Sequence, residues 1–502
     1  MSDAPVSAPI HGRIPPSTGF FGHPRGLATL FFTEMWERFS YYGMRALLIL
    51  FMTADTLHGG LGFDVARAGA VYALYTSLVY LMGLPGGWLA DRVMGQRRAV
   101  FWGGVGIAAG QFTLAIPHGY SFFPGLALII IGTGLLKPNV STIVGQLYGP
   151  DDDRRDAGFS IFYMGINIGA FAAPLICGYL GEKIDWHLGF GVAGIGMLVG
   201  LTQYLLGGRT LGDAGLHPHR PEDAAAAAAD RRKLWWGLAV AVAVGLVVFL
   251  LPALGIVRLS VEVVADSFGV LLLLITIGFF GWLLSAGHWT GDERKRLLAI
   301  LVFFLAASFF WGAYEQAGSS LNLFARDATD RMLLGFQFPA SWFQWVPALF
   351  VIIQAPIFAW LWVRLGNKQP SSPAKFSLGL LFVSLGFGVM VAAAVLSSGG
   401  HKVGPEWLLA TYFLHVVGEM CLSPVGLSTV TKLAPARVAA LMMGAWFLAS
   451  AVGNYLGGRV AGLYGSMPLW QLFGLVAATT MVAALVLAVM VRPIRRLMGT
   501  VR

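Results

Sequence analysis

An all-α polytopic membrane protein is the fold class this chain predicts, on three observations. Of its 502 residues, 57% are hydrophobic and only 12% charged, and the mean hydropathy is +0.70. Fourteen apolar stretches are each about as long as a membrane-crossing helix. Lys and Arg gather in every second loop between them, as the positive-inside rule requires. The net charge of +9 would suggest nucleic acid in a soluble protein, but this loop asymmetry explains it better, and no nucleic-acid partner is expected. Cys177 and Cys421 both fall inside apolar spans, so no disulfide framework is implied. Residues 1–22 are polar and lack the apolar core of a signal peptide.

The elements follow in order. A tail over 1–26 precedes spans at 27–52, 67–90, 99–116, 122–146, 158–180 and 187–206, a first six-helix bundle over 27–206. The connector 207–233 is polar, with Pro218, Pro221 and an alanine run. Spans at 234–256 and 267–287 form an inserted two-helix hairpin over 234–287. The charged break Asp292–Arg296 leads into spans at 297–324, 339–363, 376–397, 406–431, 438–463 and 469–491. These make a second six-helix bundle over 288–491, with a tail over 492–502. An even number of spans puts both termini on one side, and the side rich in Arg97, Arg98, Arg154, Arg155, Arg232 and Lys233 is cytoplasmic.

The two bundles echo one another. Pro85, Gly95 and Arg97 recur as Pro356, Gly366 and Lys368; Gly132, Leu136 and Pro138 as Gly418, Leu422 and Pro424; Met164, Gly165 and Gly178 as Met443, Gly444 and Gly457. Three echoes in one order suggest a six-plus-six duplication, which places a substrate between the halves near the midplane. The hairpin then lies outside the pathway.

The first span carries the most chemistry. Glu34, Glu37, Arg38, Tyr41 and Arg45 fall on one helical face. Each charge at the centre of a membrane helix costs roughly 2.5–3.5 kcal/mol on insertion scales, so such residues face a partner or a polar path. Glu34 and Glu37 can both reach Arg38, whereas Arg45 has no local acid. A structural ion-pair knot and a proton or anion site are both compatible with this pattern. No nucleophile–base pair, metal cluster or phosphate-binding loop suggests an enzyme, and His217 and His219 read as a solvated loop.

Between spans 2 and 3, Gly87, Asp91, Arg92, Gly95, Arg97 and Arg98 form a Gly-x3-Asp-Arg-x2-Gly-x-Arg-Arg pattern. It resembles the signature loop of the major facilitator superfamily, a conformational latch. Glu-x2-Glu-Arg-Phe-x-Tyr-Tyr-Gly over 34–43 narrows the resemblance to the proton-dependent oligopeptide transporter family. Phe162-Tyr163-x2-Ile166-Asn167-x-Gly169, Gly132-x-Gly-x2-Lys137-Pro138 and Gly418-Glu419-x2-Leu-Ser423-Pro424 match the same family. The resemblance runs from about Pro24 to Arg492 and implies the major facilitator fold of two six-helix bundles, the hairpin being usual in prokaryotic members.

It also implies a proton-coupled symporter importing di- and tripeptides by alternating access in the bacterial inner membrane. The proton is the coupling ion, no cofactor or metal takes part, and the unit is a monomer set in lipid. Residue by residue, Glu34, Glu37, Arg38 and Lys137 resemble the proton-coupling set. Arg45 and Lys137 resemble the cations for the peptide carboxylate, and Glu419 the acid for its amine. Tyr42, Tyr80, Asn167 and Ser423 resemble the polar wall, and Trp311, Glu315 and Trp446 the second half's lining. A relative moving another small anion or zwitterion is the competing reading, though an anion carrier has less use for Glu419. A non-transporting scaffold would leave the buried charges unexplained. Two departures from the family pattern stand out: Ala73 where animal members carry histidine, and Val346 where asparagine is common.

Overall fold

The computed structural model describes residues 18–149, 152–218, 260–286, 289–435 and 438–499, with short stretches between 228 and 243. The first half comprises α1 (Arg25–Thr53), α2 (Val65–Leu81), its continuation α3 (Gly83–Leu89), α4 (Gln96–Leu114), α5 (Phe122–Gln146), α6 (Arg155–Lys183) and α7 (Trp186–Gly207). One arm of the hairpin follows, α8 (Val261–Ala286). The second half comprises α9 (Gly291–Tyr314), α10 (Ser320–Asp327), α11 (Val346–Leu365), α12 (Ser372–Ser397), α13 (Glu406–Leu433), α14 (Ala439–Ala461) and α15 (Leu469–Met498). Among the described residues, ten helical segments are long and apolar enough to cross a membrane. α1 is not one of them, because Glu34, Glu37, Arg38 and Arg45 interrupt its apolarity. Most of the expected span 234–256 lies outside the described residues; every other expected span lies on a helix.

Local chemistry sets the helix ends. Asp64 accepts from the Arg67 N–H at 2.8 Å, and Asp185 from those of His187 and Leu188, capping α2 and α7. Thr290 and Glu293 form a reciprocal capping box at α9.

Two spans read as continuous are broken. The second is interrupted at Met82, before Gly83 and Pro85. The ninth stops being α-helical at Glu315–Gly318 and passes through Ser319, at φ −129° and ψ −96°, before α10. Irregular backbone at membrane depth persists only where other protein groups satisfy it. Here Arg45 donates to the Glu315 carbonyl at 3.2 Å, and the Gln344 amide donates to that of Ala317.

Packing repeats the sequence symmetry. The pairings α1–α6, α1–α7, α4–α5 and α4–α7 recur as α9–α14, α9–α15, α12–α13 and α12–α15. The halves meet along two matching seams, α2 against α14 and α6 against the 340–365 segment. In the first seam a Cβ on Gly69 would lie 2.6 Å from the Gly462 backbone, and one on Gly458 2.6 Å from Ala73 Cα. The backbones touch, so Ala73 has no room to be histidine. Val346, the other departure, is buried. α8 packs on α2 and α14 from outside, through Tyr455 to the Ala265 carbonyl and Arg459 to Asp266. Few of its residues are buried.

Candidate functional site

The site begins with four charges along α1, Glu34, Glu37, Arg38 and Arg45, all buried. The Arg38 Nε reaches Glu34 Oε1 at 3.2 Å and bonds to Glu37 Oε2. The guanidinium also lies over the Tyr41 ring, 5.1 Å from its centroid. The cluster is not saturated: Glu34 Oε2, Glu37 Oε1 and Arg38 Nη2 are buried without a hydrogen-bond partner. Buried polar groups are normally paired, so each leftover atom marks a place where a proton, water or another side chain gains by arriving.

Arg45, two turns further on, finds its acid in the other half. It forms an ion pair with Glu315 at the break after α9, and its Nε donates to the Tyr72 hydroxyl at 2.9 Å. Its guanidinium lies 5.9 Å from the Tyr42 ring. Gly318 makes room for this: a Cβ there would stand 2.1 Å from the Tyr72 oxygen. Glu419 on α13 accepts a 2.5 Å hydrogen bond from Tyr314. Consecutive residues, Tyr314 and Glu315, thus hold Glu419 and Arg45. Tyr314 is fixed by stacking on Phe310 and by the edge of Trp311.

The remaining expected residues surround this centre. Lys137 is half-buried and places its Nζ 4.1 Å from the Tyr80 ring centroid. It lies within electrostatic reach of Glu34, Glu37 and Glu315 but forms no ion pair with a described residue. Glu37 faces the nearer Arg38 instead. Pro138 leaves the Gly134 carbonyl without its helical donor, and Gly86 packs against it. Asn167 donates to the Tyr163 carbonyl at 2.9 Å. Ser423 is half-buried on α13, and Trp446 packs its ring edge on Gly426. The Trp311 indole N–H is buried without a partner.

The signature loop is a separate structure. Gly95 sits at φ +82°, and a Cβ would meet the Leu216 carbonyl at 2.9 Å, so only glycine fits without strain. Asp91 accepts from Gln96 at 3.0 Å, and Arg92 reaches Asp230 at 3.7 Å. Gly87 faces Pro138 at ordinary contact distance, and Arg98 is exposed. The neighbouring Arg97 does the binding: it donates to the Ala214 carbonyl at 2.7 Å and to that of Gly212, tying the connector to the loop.

Sequence reasoning missed Tyr72, Tyr314 and the anchoring role of Arg97. A tyrosine immediately before Glu315 was the available signal for Tyr314, since a buried phenol seeks an acceptor. Tyr72 carried no such mark.

Residues 97–476 match the profile of the POT family. A peptide transporter of Yersinia enterocolitica is 42% identical, covering 96% of both chains. A di-/tripeptide transporter of Lactococcus lactis subsp. cremoris is 38% identical over 96% of this chain and 98% of its own. A crystal structure of a peptide transporter of the same family, in complex with sulfate, superposes with a TM-score of 0.90 at 46% identity, covering 95% of this chain and 96% of that one.

Proposed function

This chain belongs to the POT family, with its major facilitator fold, and from that premise we propose that it imports di- and tripeptides together with protons. It is a membrane transporter, not an enzyme. The observation that carries the proposal is the adjacency of Tyr314 and Glu315, which hold Glu419 and Arg45 respectively. A peptide is a zwitterion whose two ends must replace their hydration when enclosed. Its carboxylate takes Glu315's place on Arg45, with Lys137 as second cation, and its amine takes Tyr314's place on Glu419. Both exchanges release the same two-residue step at the break after α9, so ligand binding acts on the junction between the halves.

Proton coupling resides in Glu34, Glu37, Arg38 and Lys137. Protonating Glu37 weakens its hold on Arg38, and a returning charge on Glu37 gives Lys137 an acid to move toward. Tyr42, Tyr80, Asn167, Ser423, Trp311 and Trp446 complete the lining, and the loop of Gly87, Asp91, Arg92, Gly95 and Arg98 serves as the inward latch. Purified protein in liposomes should accumulate labelled dialanine only when an inward proton gradient is imposed. Equal uptake with and without the gradient would refute symport, and uptake of nitrate in preference to peptide would favour the competing carrier.

The organisation follows from the same reading: bundles over 27–206 and 288–491, connector 207–233, hairpin 234–287, and both termini in the cytoplasm of a bacterium whose inner membrane the monomer spans. The outer position of α8 supports a peripheral hairpin. Deleting 234–287 and joining the connector to α9 should leave dipeptide affinity within about threefold by calorimetry. Loss of binding in a folded deletion would place the hairpin in the pathway. A thiol probe applied outside intact cells should not reach a cysteine placed in 207–218.

A further inference from the structure

The seam between α6 and the 340–365 segment contains a contact that the transport reading leaves unused. Glu182 lies in the last turn of α6, and its two carboxylate oxygens accept from the backbone N–H groups of Ala340 at 2.9 Å and Ser341 at 2.7 Å. Those groups open the helical stretch Ala340–Lys368. The first N–H groups of a helix have no partner within it and are ordinarily met by a side chain just before. The residue before is Pro339, which makes no side-chain cap. The cap comes instead from the other half of the molecule.

The surroundings fit a separable joint. Arg331 lies 3.9 Å from the Glu182 carboxylate while donating to the Phe338 carbonyl at 2.7 Å. The Trp342 indole donates to the Leu175 carbonyl at 3.1 Å. Gly178 lets the two elements touch: a Cβ there would stand 2.2 Å from the Ser341 hydroxyl. Around this joint the halves also meet through Asn322 to the Ala46 carbonyl and Arg326 to Thr53, toward the membrane face remote from the termini.

We propose that Glu182 is a positioning residue of the transport cycle, a detachable cap by which the first half holds the second half's helix closed on the face remote from the termini. Opening that face separates α6 from residues 340–345 and returns the carboxylate and both N–H groups to water. The contact therefore contributes to the closed arrangement and nothing to the open one, which is the differential interaction a conformational equilibrium responds to. Its meaning for transport rests on the peptide-carrier reading; its test does not.

Spin labels at Leu57→Cys and Leu334→Cys, both exposed and one on each half, report the separation of that face by double electron–electron resonance in nanodiscs. Glu182→Ala, which removes both acceptors, should raise the ratio of the long-distance to the short-distance population by roughly two- to thirty-fold, the range expected for a lost helix cap. Glu182→Asp should lie between, because its shorter carboxylate still reaches one N–H. Gly178→Ala should shift the ratio the same way by forcing the elements apart, and it carries the test if Glu182→Ala does not fold. A purely structural cap would lower the unfolding temperature and leave the distance ratio alone, and that result overturns the proposal. Peptide counterflow on the same variants separates the two claims: a face that opens in a protein moving no peptide refutes the carrier reading and leaves the cap standing.

Discussion

Glu37→Gln should abolish gradient-driven peptide accumulation while leaving peptide-for-peptide exchange largely intact. Glu37 is fully buried, bonds to Arg38 through one oxygen and leaves the other without a partner. Glutamine keeps the shape and one acceptor for Arg38 but cannot gain or lose a proton. Each proton crossing a 100 mV membrane potential supplies about 2.3 kcal/mol, enough for roughly fifty-fold accumulation. Without coupling, the internal concentration should stop at the external one. Lys137→Ala should give the same uncoupled pattern, because it removes the cation that lies within electrostatic reach of both acids without being bound to either. The check is labelled-peptide uptake into liposomes under an imposed gradient, beside counterflow with no gradient. Accumulation at the wild-type level in either variant would remove these residues from the coupling path. Loss of counterflow as well would mean that they bind peptide or hold the fold.

Glu419→Gln should weaken free dipeptides strongly and N-acetylated dipeptides little. Truncating one partner of a buried hydrogen-bonded charge pair costs roughly 2–5 kcal/mol, thirty-fold or more in affinity. That penalty applies only to a ligand that brings an ammonium group. Tyr314 remains able to donate to the glutamine oxygen, so the local packing on Phe310 and Trp311 should persist. Arg45→Ala should show the mirror pattern with C-terminally amidated peptides, but it also leaves Glu315 buried without its cation, and a general loss of binding is expected on top. The discriminating measurement is therefore calorimetry on Glu419→Gln with free and acetylated dialanine. Equal weakening of both would mean that the acid does not read the amine.

The membrane fold was legible because bilayer thickness imposes a length on every helix and apolarity reveals it. The ends of α5, α7 and α12 fall within a few residues of the spans read from composition alone. The grouping of Glu34, Glu37 and Arg38 was legible for a similar reason, since helical periodicity is local and fixes which neighbours meet. The duplication was legible as weak echoes, and the repeated helix pairings give them physical form.

What only the tertiary structure decided lies between the halves. Arg45 had no acid within reach along its own helix, and nothing local points to Glu315, which is 270 residues away. The break at Ser319 was invisible because Glu315–Ser320 is still mostly small and uncharged, and the donors Arg45 and Gln344, remote in sequence, satisfy the unwound carbonyls of Glu315 and Ala317. Glu182 reads in sequence as an ordinary charge at the end of a span; its role as a cap exists only because α6 packs on residues 340–345. Length, periodicity and charge are properties of a segment and survive in the string of residues. The partner of a buried charge is a property of two segments brought together by folding, and the energy that selects it is spent across the interface rather than along the chain.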